Sequence, residues 1–352
     1  MAAPTTLANL AVPLDLEPME AKLVTELPDT TGWQFEPKWD GFRCLAFRAG
    51  DEVDLRAKSG KPLTRYFPEV VAFLKALKPK CFVLDGELAI PSGDTLSFDA
   101  LQQRIHPAAS RVKTLAAETP AVLILFDMLV DPKNKSLIEL PLTKRRAALD
   151  AFYKSLGDHQ NLKLSPYTLD RGEADDWLAR ASGALDGVVA KQLDGPYLPG
   201  ERAMLKVKHL RTAECVIGGF RYAAKSDEVG SLLLGLYNED GKLDHVGFTS
   251  TITDVERPAL TKLLKGMIAP PGFSGKAPGG PSRWSTKRSS EWQPLEPKMV
   301  VEVRFDQVTD GRFRHGAKLV RFRPDKAPEQ CTFEQIAPPG KPPKLVAAML
   351  AE

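Results

Sequence analysis

The stretch Glu36-Pro37-Lys38-Trp39-Asp40-Gly41-Phe42-Arg43 limits what this chain can become more than any other. It puts a lysine, a carboxylate, a glycine and an arginine within six residues, between strand-like runs at 33–35 and 43–48. Glycine at 41 allows positive φ, so a sharp turn after Asp40 is expected to hold Lys38 and Arg43 against one ligand. A lysine amine forms covalent intermediates only when neutral. An isolated lysine is about 0.1% neutral near physiological pH, and neighbouring cations with partial burial raise that fraction. Taken alone, the motif also suits an ordinary hairpin turn carrying surface charges.

Periodicity divides the rest of the chain into two textures. Residues 66–77 have apolar side chains at helical spacing, with Pro68 tolerated in the first turn, and 142–156 and 173–182 also read as helices. Residues 52–57, 121–129, 186–192 and 203–207 read as strands, and 81–90 as two strand halves broken at Asp85-Gly86. Beyond about residue 209 the elements shorten. Strands are expected at 213–220, 231–237, 243–249, 299–307 and 319–323, with one helix in 251–267 and a Pro/Gly-rich loop at 270–281. Short strands with a single helix fit a small barrel.

Two such regions need two cores, which 352 residues with 43% apolar and 26% charged side chains can supply. No stretch suits a bilayer span, and the N-terminus lacks the features of a signal peptide, so no membrane partner and a cytoplasmic location are expected. Cys44, Cys81, Cys215 and Cys331 show no metal-ligand spacing and fit a reducing compartment. The net charge of +3 is uneven: residues 201–225 carry +4 and 312–326 carry +5. Concentrated positive charge suits the phosphates of a nucleotide or nucleic acid, although a solvated face has the same composition.

Further motifs follow the lysine turn in order: AKSG (57–60), LDGE (84–87), FDML (126–129), DGVVAK (186–191), LKVK (205–208) and RPDK (323–326). Together they resemble the ATP-dependent DNA ligases of the covalent nucleotidyltransferase superfamily, over most of the chain from about residue 16 to 326. The resemblance implies an α+β chain. A nucleotidyltransferase (adenylation) domain with antiparallel sheets is expected at 1–209, a C-terminal OB-fold β-barrel at 210–337 and a flexible tail at 338–352.

It also implies roles. Lys38 would attack the α-phosphate of ATP, expel pyrophosphate and hold AMP as a phosphoramide. Lys206 and Lys208, two apart on a strand and so on one face, would lie at the α-phosphate. Glu36 would sit beside the adenine edge, Phe126 would stack on adenine, and Arg43 would face the ribose or phosphate. Glu87, after a turn made possible by Gly86, would bind the ribose hydroxyl near a metal. Asp186 would be the chief carboxylate for Mg2+, with Mn2+ the alternative. Arg323, Asp325 and Lys326 would grip the β- and γ-phosphates during adenylation, then swing away about a hinge near 209–212 while nicked double-stranded DNA binds. Without the family, Phe126 reads as core, the two lysines as a solvent-facing strand edge and RPDK as a charged strand end.

Two positions depart from the family pattern. Asp186 stands where Glu is common, and Lys58 stands where Arg is common, which exchanges a guanidinium fork for a point charge. Capping enzymes and RNA ligases share the lysine motif. Glu214-Cys-Val-Ile-Gly-Gly, 301–305 and 311–315 resemble DNA ligases specifically. A binding-only scaffold for DNA ends is the non-enzymatic alternative, and the full set of Lys38, Glu87, Asp186, Lys206 and Lys208 argues against it. With 37 residues before Lys38, the expectation is a small bacterial repair-type enzyme, monomeric and assisted by other DNA-repair proteins. Its grip on DNA would include Arg283, Lys287 and Arg288.

Overall fold

The computed structural model describes residues 5–93, 95–157, 160–181, 185–279, 291–337 and 349. Arg283, Lys287 and Arg288 lie outside the described residues, as does the expected tail apart from Met349. One compact unit is built on Met1–His209 and another on Leu210–Pro338.

The first unit runs β1 (Ala21–Leu23), β2 (Trp33–Trp39), β3 (Phe42–Ala49), β4 (Glu52–Ala57), α1 (Pro68–Ala76), β5 (Cys81–Ala89), β6 (Pro91–Ser92) and β7 (Thr95–Leu96). It continues with α2 (Phe98–Gln103), α3 (Ala109–Glu118), β8 (Val122–Val130), α4 (Leu142–Leu156), β9 (Leu162–Leu164), α5 (Arg171–Ala179), β10 (Leu185–Gln192) and β11 (Met204–Lys208). Two main sheets result, ordered β1-β11-β10-β2 and β4-β3-β5-β8-β9. β1 pairs with β11, and β8 with β9, in parallel, so the sheets are mixed rather than antiparallel throughout. β8 is buried at every position. Leu123 and Leu125 join one apolar cluster while Ile124 and Phe126 join another, so the strand is covered on both faces and reads as a continuous apolar run.

The lysine motif is not a hairpin. β2 belongs to the first sheet and β3 to the second, so Asp40-Gly41 carries the chain from one sheet to the other. Gly41 is not among the positive-φ glycines. Its need for glycine is steric: a Cβ there would stand 2.2 Å from the Leu88 carbonyl oxygen. Likewise Asp85-Gly86 does not break β5, which is continuous. A Cβ at Gly86 would come within 2.6 Å of the Ile124 carbonyl oxygen, where β5 shifts register against β8. Glu87 therefore projects from an unbroken strand instead of following a turn.

The second unit contains β12 (Arg211–Tyr222), β13 (Val229–Tyr237), β14 (Leu243–Thr249), α6 (Arg257–Lys265), β15 (Gln293–Pro294), β16 (Val300–Phe305), the small hairpin β17 (Val308–Thr309) and β18 (Arg312–Phe313), and β19 (Lys318–Phe322). Its main sheet is ordered β14-β13-β12-β16-β19, with β15 on β12. The expected OB-fold barrel is not present, because no sheet closes. Among the described residues, β14 and β19 form no ladder, and an isolated bridge joins Thr249 of β14 only to Ala317, the residue before β19. At this open edge most residues of β19 are exposed, and the Leu319 N–H is taken by the Thr251 hydroxyl at 2.7 Å rather than by a carbonyl of β14.

Candidate active site

Strand register assembles the site. β10 lies between β2 and β11, so Gly187 has Lys38 as its partner on one side and Lys208 on the other. Gly187 adopts φ +148°, and a Cβ there would stand 2.0 Å from the Val207 carbonyl oxygen, so only glycine lets the strands approach this closely. Its neighbour Asp186 becomes the shared anion. Asp186 Oδ2 meets Lys38 Nζ at 2.5 Å and Lys208 Nζ at 3.2 Å. Asp186 is buried, and its Oδ1 has no hydrogen-bond partner among the described residues.

A cavity of about 250 Å³ is lined from both sheets, including Glu36, Lys38, Arg43, Lys58, Glu87, Phe126 and Lys206. Of the residues expected in the nucleotide pocket, these seven line it, while Asp186 and Lys208 join through Lys38. Lys206, half-buried, is held below the usual lysine range by desolvation and then by the charges of Lys38, Lys58 and Lys208. Burial pushes the Glu87 carboxyl up to about 7, against the opposing pull of Lys38 and Arg43. Lys58 is more exposed and pairs with Glu20 at 2.9 Å.

Several of these groups already have partners. Arg43 donates from Nε and Nη2 to the two oxygens of Asp85, at 2.6 and 2.5 Å. Its guanidinium also stands 4.7 Å from the centre of the Phe126 ring. Glu36 accepts from Gln34 Nε2 at 2.7 Å and pairs with Lys191 at 2.7 Å. Lys191 approaches the same Phe126 ring at 4.7 Å. The ring thus touches two cations at a wall of the cavity instead of lying idle in the core.

In the second unit, Arg323 pairs with Glu214, and with Asp325 at 2.8 Å. Lys326 meets Glu214 at 2.9 Å, and Arg321 meets Glu302 at 2.7 Å.

The sequence profile of the ATP dependent DNA ligase domain matches residues 18–208, and that of the ATP dependent DNA ligase C terminal region matches 225–326. The chain belongs to the ATP-dependent DNA ligases. DNA ligase C1 of Mycolicibacterium smegmatis is 44% identical over 343 residues, which span 94% of this chain and 96% of that protein. DNA ligase C of Mycobacterium tuberculosis is 42% identical over 347 residues, 94% of this chain and 96% of that one. A solved Lig E DNA ligase shares 16% identity at a TM-score of 0.54, over 87% of this chain and 100% of that one, a likeness of fold alone. The ligase uses ATP and seals nicks in DNA. Among the described residues, no helix is long and apolar enough to cross a membrane.

Sequence reasoning missed four groups in or behind the wall of this ligase pocket. Asp85 and Lys191 sit inside LDGE and DGVVAK, where their charge was a usable signal. Glu20 and Tyr197 stand outside every motif and offered none.

Proposed function

We propose that Lys38 carries AMP as a covalent intermediate. The observation that carries this reading is the convergence of the Lys38 and Lys208 amines on one oxygen of Asp186, at the edge of the cavity. The neutral Lys38 amine attacks the α-phosphorus of ATP: an N–P bond forms, the P–O bond to pyrophosphate breaks, and Asp186 Oδ2 is near enough to take the proton released. A 5′-phosphate oxygen of the nick then attacks the same phosphorus, the N–P bond breaks, and the amine regains a proton. Finally the DNA 3′-hydroxyl attacks the 5′-phosphorus, forming the phosphodiester as AMP leaves.

Within this reading, Lys206 and Lys208 neutralise the α-phosphate, Glu36 meets the adenine edge, and Phe126 forms the apolar side of the base subsite. Arg43 and Glu87 serve the ribose side, with Lys58 at the more exposed rim. Arg323, Asp325 and Lys326 handle the departing pyrophosphate. The unpartnered Oδ1 of buried Asp186 suits a divalent cation, with Glu87 as the second carboxylate. Mg2+ or Mn2+ held there by Asp186 and Glu87 would offset the charge that develops on the phosphates. Among the described residues, no group of three or more His, Cys, Asp or Glu could hold an ion alone, which fits a metal that also needs substrate phosphates. We place the reaction in DNA repair, in the bacterial cytoplasm with the chromosome and with other repair proteins as partners. The supporting relatives are bacterial ligases.

The direct test is labelling with ATP carrying a labelled α-phosphate. Wild type should acquire an acid-labile label and Lys38→Ala none. Undiminished labelling of K38A would refute the assignment.

A further inference from the structure

Tyr197 is 1% exposed, yet its hydroxyl is fully engaged. It donates to Asp85 Oδ2 at 2.7 Å and accepts from the Met19 N–H at 3.0 Å. Asp85 is itself fully buried and accepts both bonds from Arg43. Arg43 Nη2 also donates to the Met19 carbonyl at 3.2 Å. Tyr197, Asp85, Arg43 and Met19 therefore close a ring of hydrogen bonds. Arg43 and Met19 line the cavity, whereas Asp85 and Tyr197 do not.

Local structure holds the tyrosine in place. Its N–H donates to the Ile138 carbonyl at 2.8 Å, and its side chain packs in the cluster containing Leu45, Phe47 and Met204. The next residue, Leu198, directs its N–H to the Met19 sulfur at 3.3 Å. Tyr197 thus ties the wall around Met19 to the strand that carries Arg43.

We propose that Tyr197 is a positioning residue for nucleotide binding: through Asp85 its hydroxyl fixes the Arg43 guanidinium, and directly it fixes the Met19 wall. The inference rests on the reading that this cavity takes ATP. A buried carboxylate is held best when all its acceptor sites are used, and a fully satisfied network favours one arrangement of its members. Phenylalanine at 197 keeps the ring and its packing but removes the oxygen. Asp85 then lacks one donor and the Met19 N–H lacks its acceptor. Arg43, 4.7 Å from the Phe126 ring, would lose its single orientation where the nucleotide must fit.

Packing alone is the competing account, and a double-mutant cycle separates the two. In Tyr197→Phe, the ATP concentration for half-maximal labelling should rise about tenfold. The saturating rate should stay within about threefold of wild type, and the melting temperature should fall by less than about 10 °C, leaving the protein folded in the assay. Arg43→Lys keeps the charge but loses the fork, so in that background the same tyrosine change should cost less than about twofold. An unchanged half-saturation in Y197F, an undiminished effect in R43K, or a loss that tracks the melting temperature would overturn the inference. Wild-type protein that takes no label would refute the ATP reading itself. Normal wild-type labelling with an insensitive Y197F would refute the tyrosine alone.

Discussion

The cavity of the first unit and the Arg323–Lys326 cluster use the same residue types, but their charge is balanced differently. In and directly against the cavity, six cations (Lys38, Arg43, Lys58, Lys191, Lys206 and Lys208) meet five carboxyl groups (Glu20, Glu36, Asp85, Glu87 and Asp186). Next to it, one oxygen of Asp186 serves two lysines while the other has no partner. In the second unit, Arg321, Arg323 and Lys326 meet an equal number of carboxylates: Glu214, Glu302 and Asp325. The cavity therefore has capacity left for an anion and a cation. In the second cluster each cation already has a carboxylate partner, so a phosphate there would compete with that partner. A preorganised site loses little on binding, whereas an exchange of partners offsets much of what the new contact contributes.

Asp186→Asn tests the cavity side of that contrast most severely, because it leaves Lys38 and Lys208 without their common anion and removes the free oxygen. Adenylation should slow by about 100-fold or more in single-turnover labelling, a loss typical of a removed electrostatic element. A decrease below about threefold would mean that the spare oxygen has no catalytic part.

Next in size is the second cluster. Arg323→Ala or Lys326→Ala should slow adenylation about tenfold or more, the scale of a lost charged hydrogen bond. Sealing of a pre-adenylated nick should change little, since pyrophosphate is absent from that step. Equal losses in the two assays would contradict the division of labour.

Glu87 tests the same cavity through stability rather than rate. Its carboxyl titrates at about 7 in the folded protein, against 4.5 for an unperturbed glutamate. Between these values the folded state keeps a proton that the unfolded state releases. The stabilisation is complete below about pH 4.5 and disappears as pH rises through about 7. Urea unfolding of the first unit should therefore show wild type losing roughly 3 kcal/mol relative to Glu87→Gln between pH 4.5 and 8. A constant difference across that range would show that burial does not hold the proton.

Much of the site was legible because each motif sits on a single element whose local geometry follows from its sequence. Lys206 and Lys208 share a strand, so their common face needed only a period of two. The apolar run ending at Phe126 announced a buried strand in the same way. What the motifs touch was less legible. Lys38 finds Asp186 across 148 positions, and Tyr197 finds Asp85 across 112. Such pairs depend on strand register, which no local pattern encodes.

The glycines divide the two kinds of information most sharply. The sequence alone marked Gly41 and Gly86 as special, and it singled out the candidate side chains and their order along the chain. It could not say why these glycines were needed. Each reads as a turn residue, yet each is required by a carbonyl oxygen from a distant strand, Leu88 for one and Ile124 for the other. Closure of the second unit's sheet was likewise beyond short-range pattern. Whether β14 and β19 join depends on how two edges separated by most of that unit meet, and here an isolated bridge from β14 reaches only the residue before β19. Local propensity selects elements and their faces; backbone proximity, ion-pair partners and sheet closure are set by packing between remote segments, and only the tertiary structure decides them.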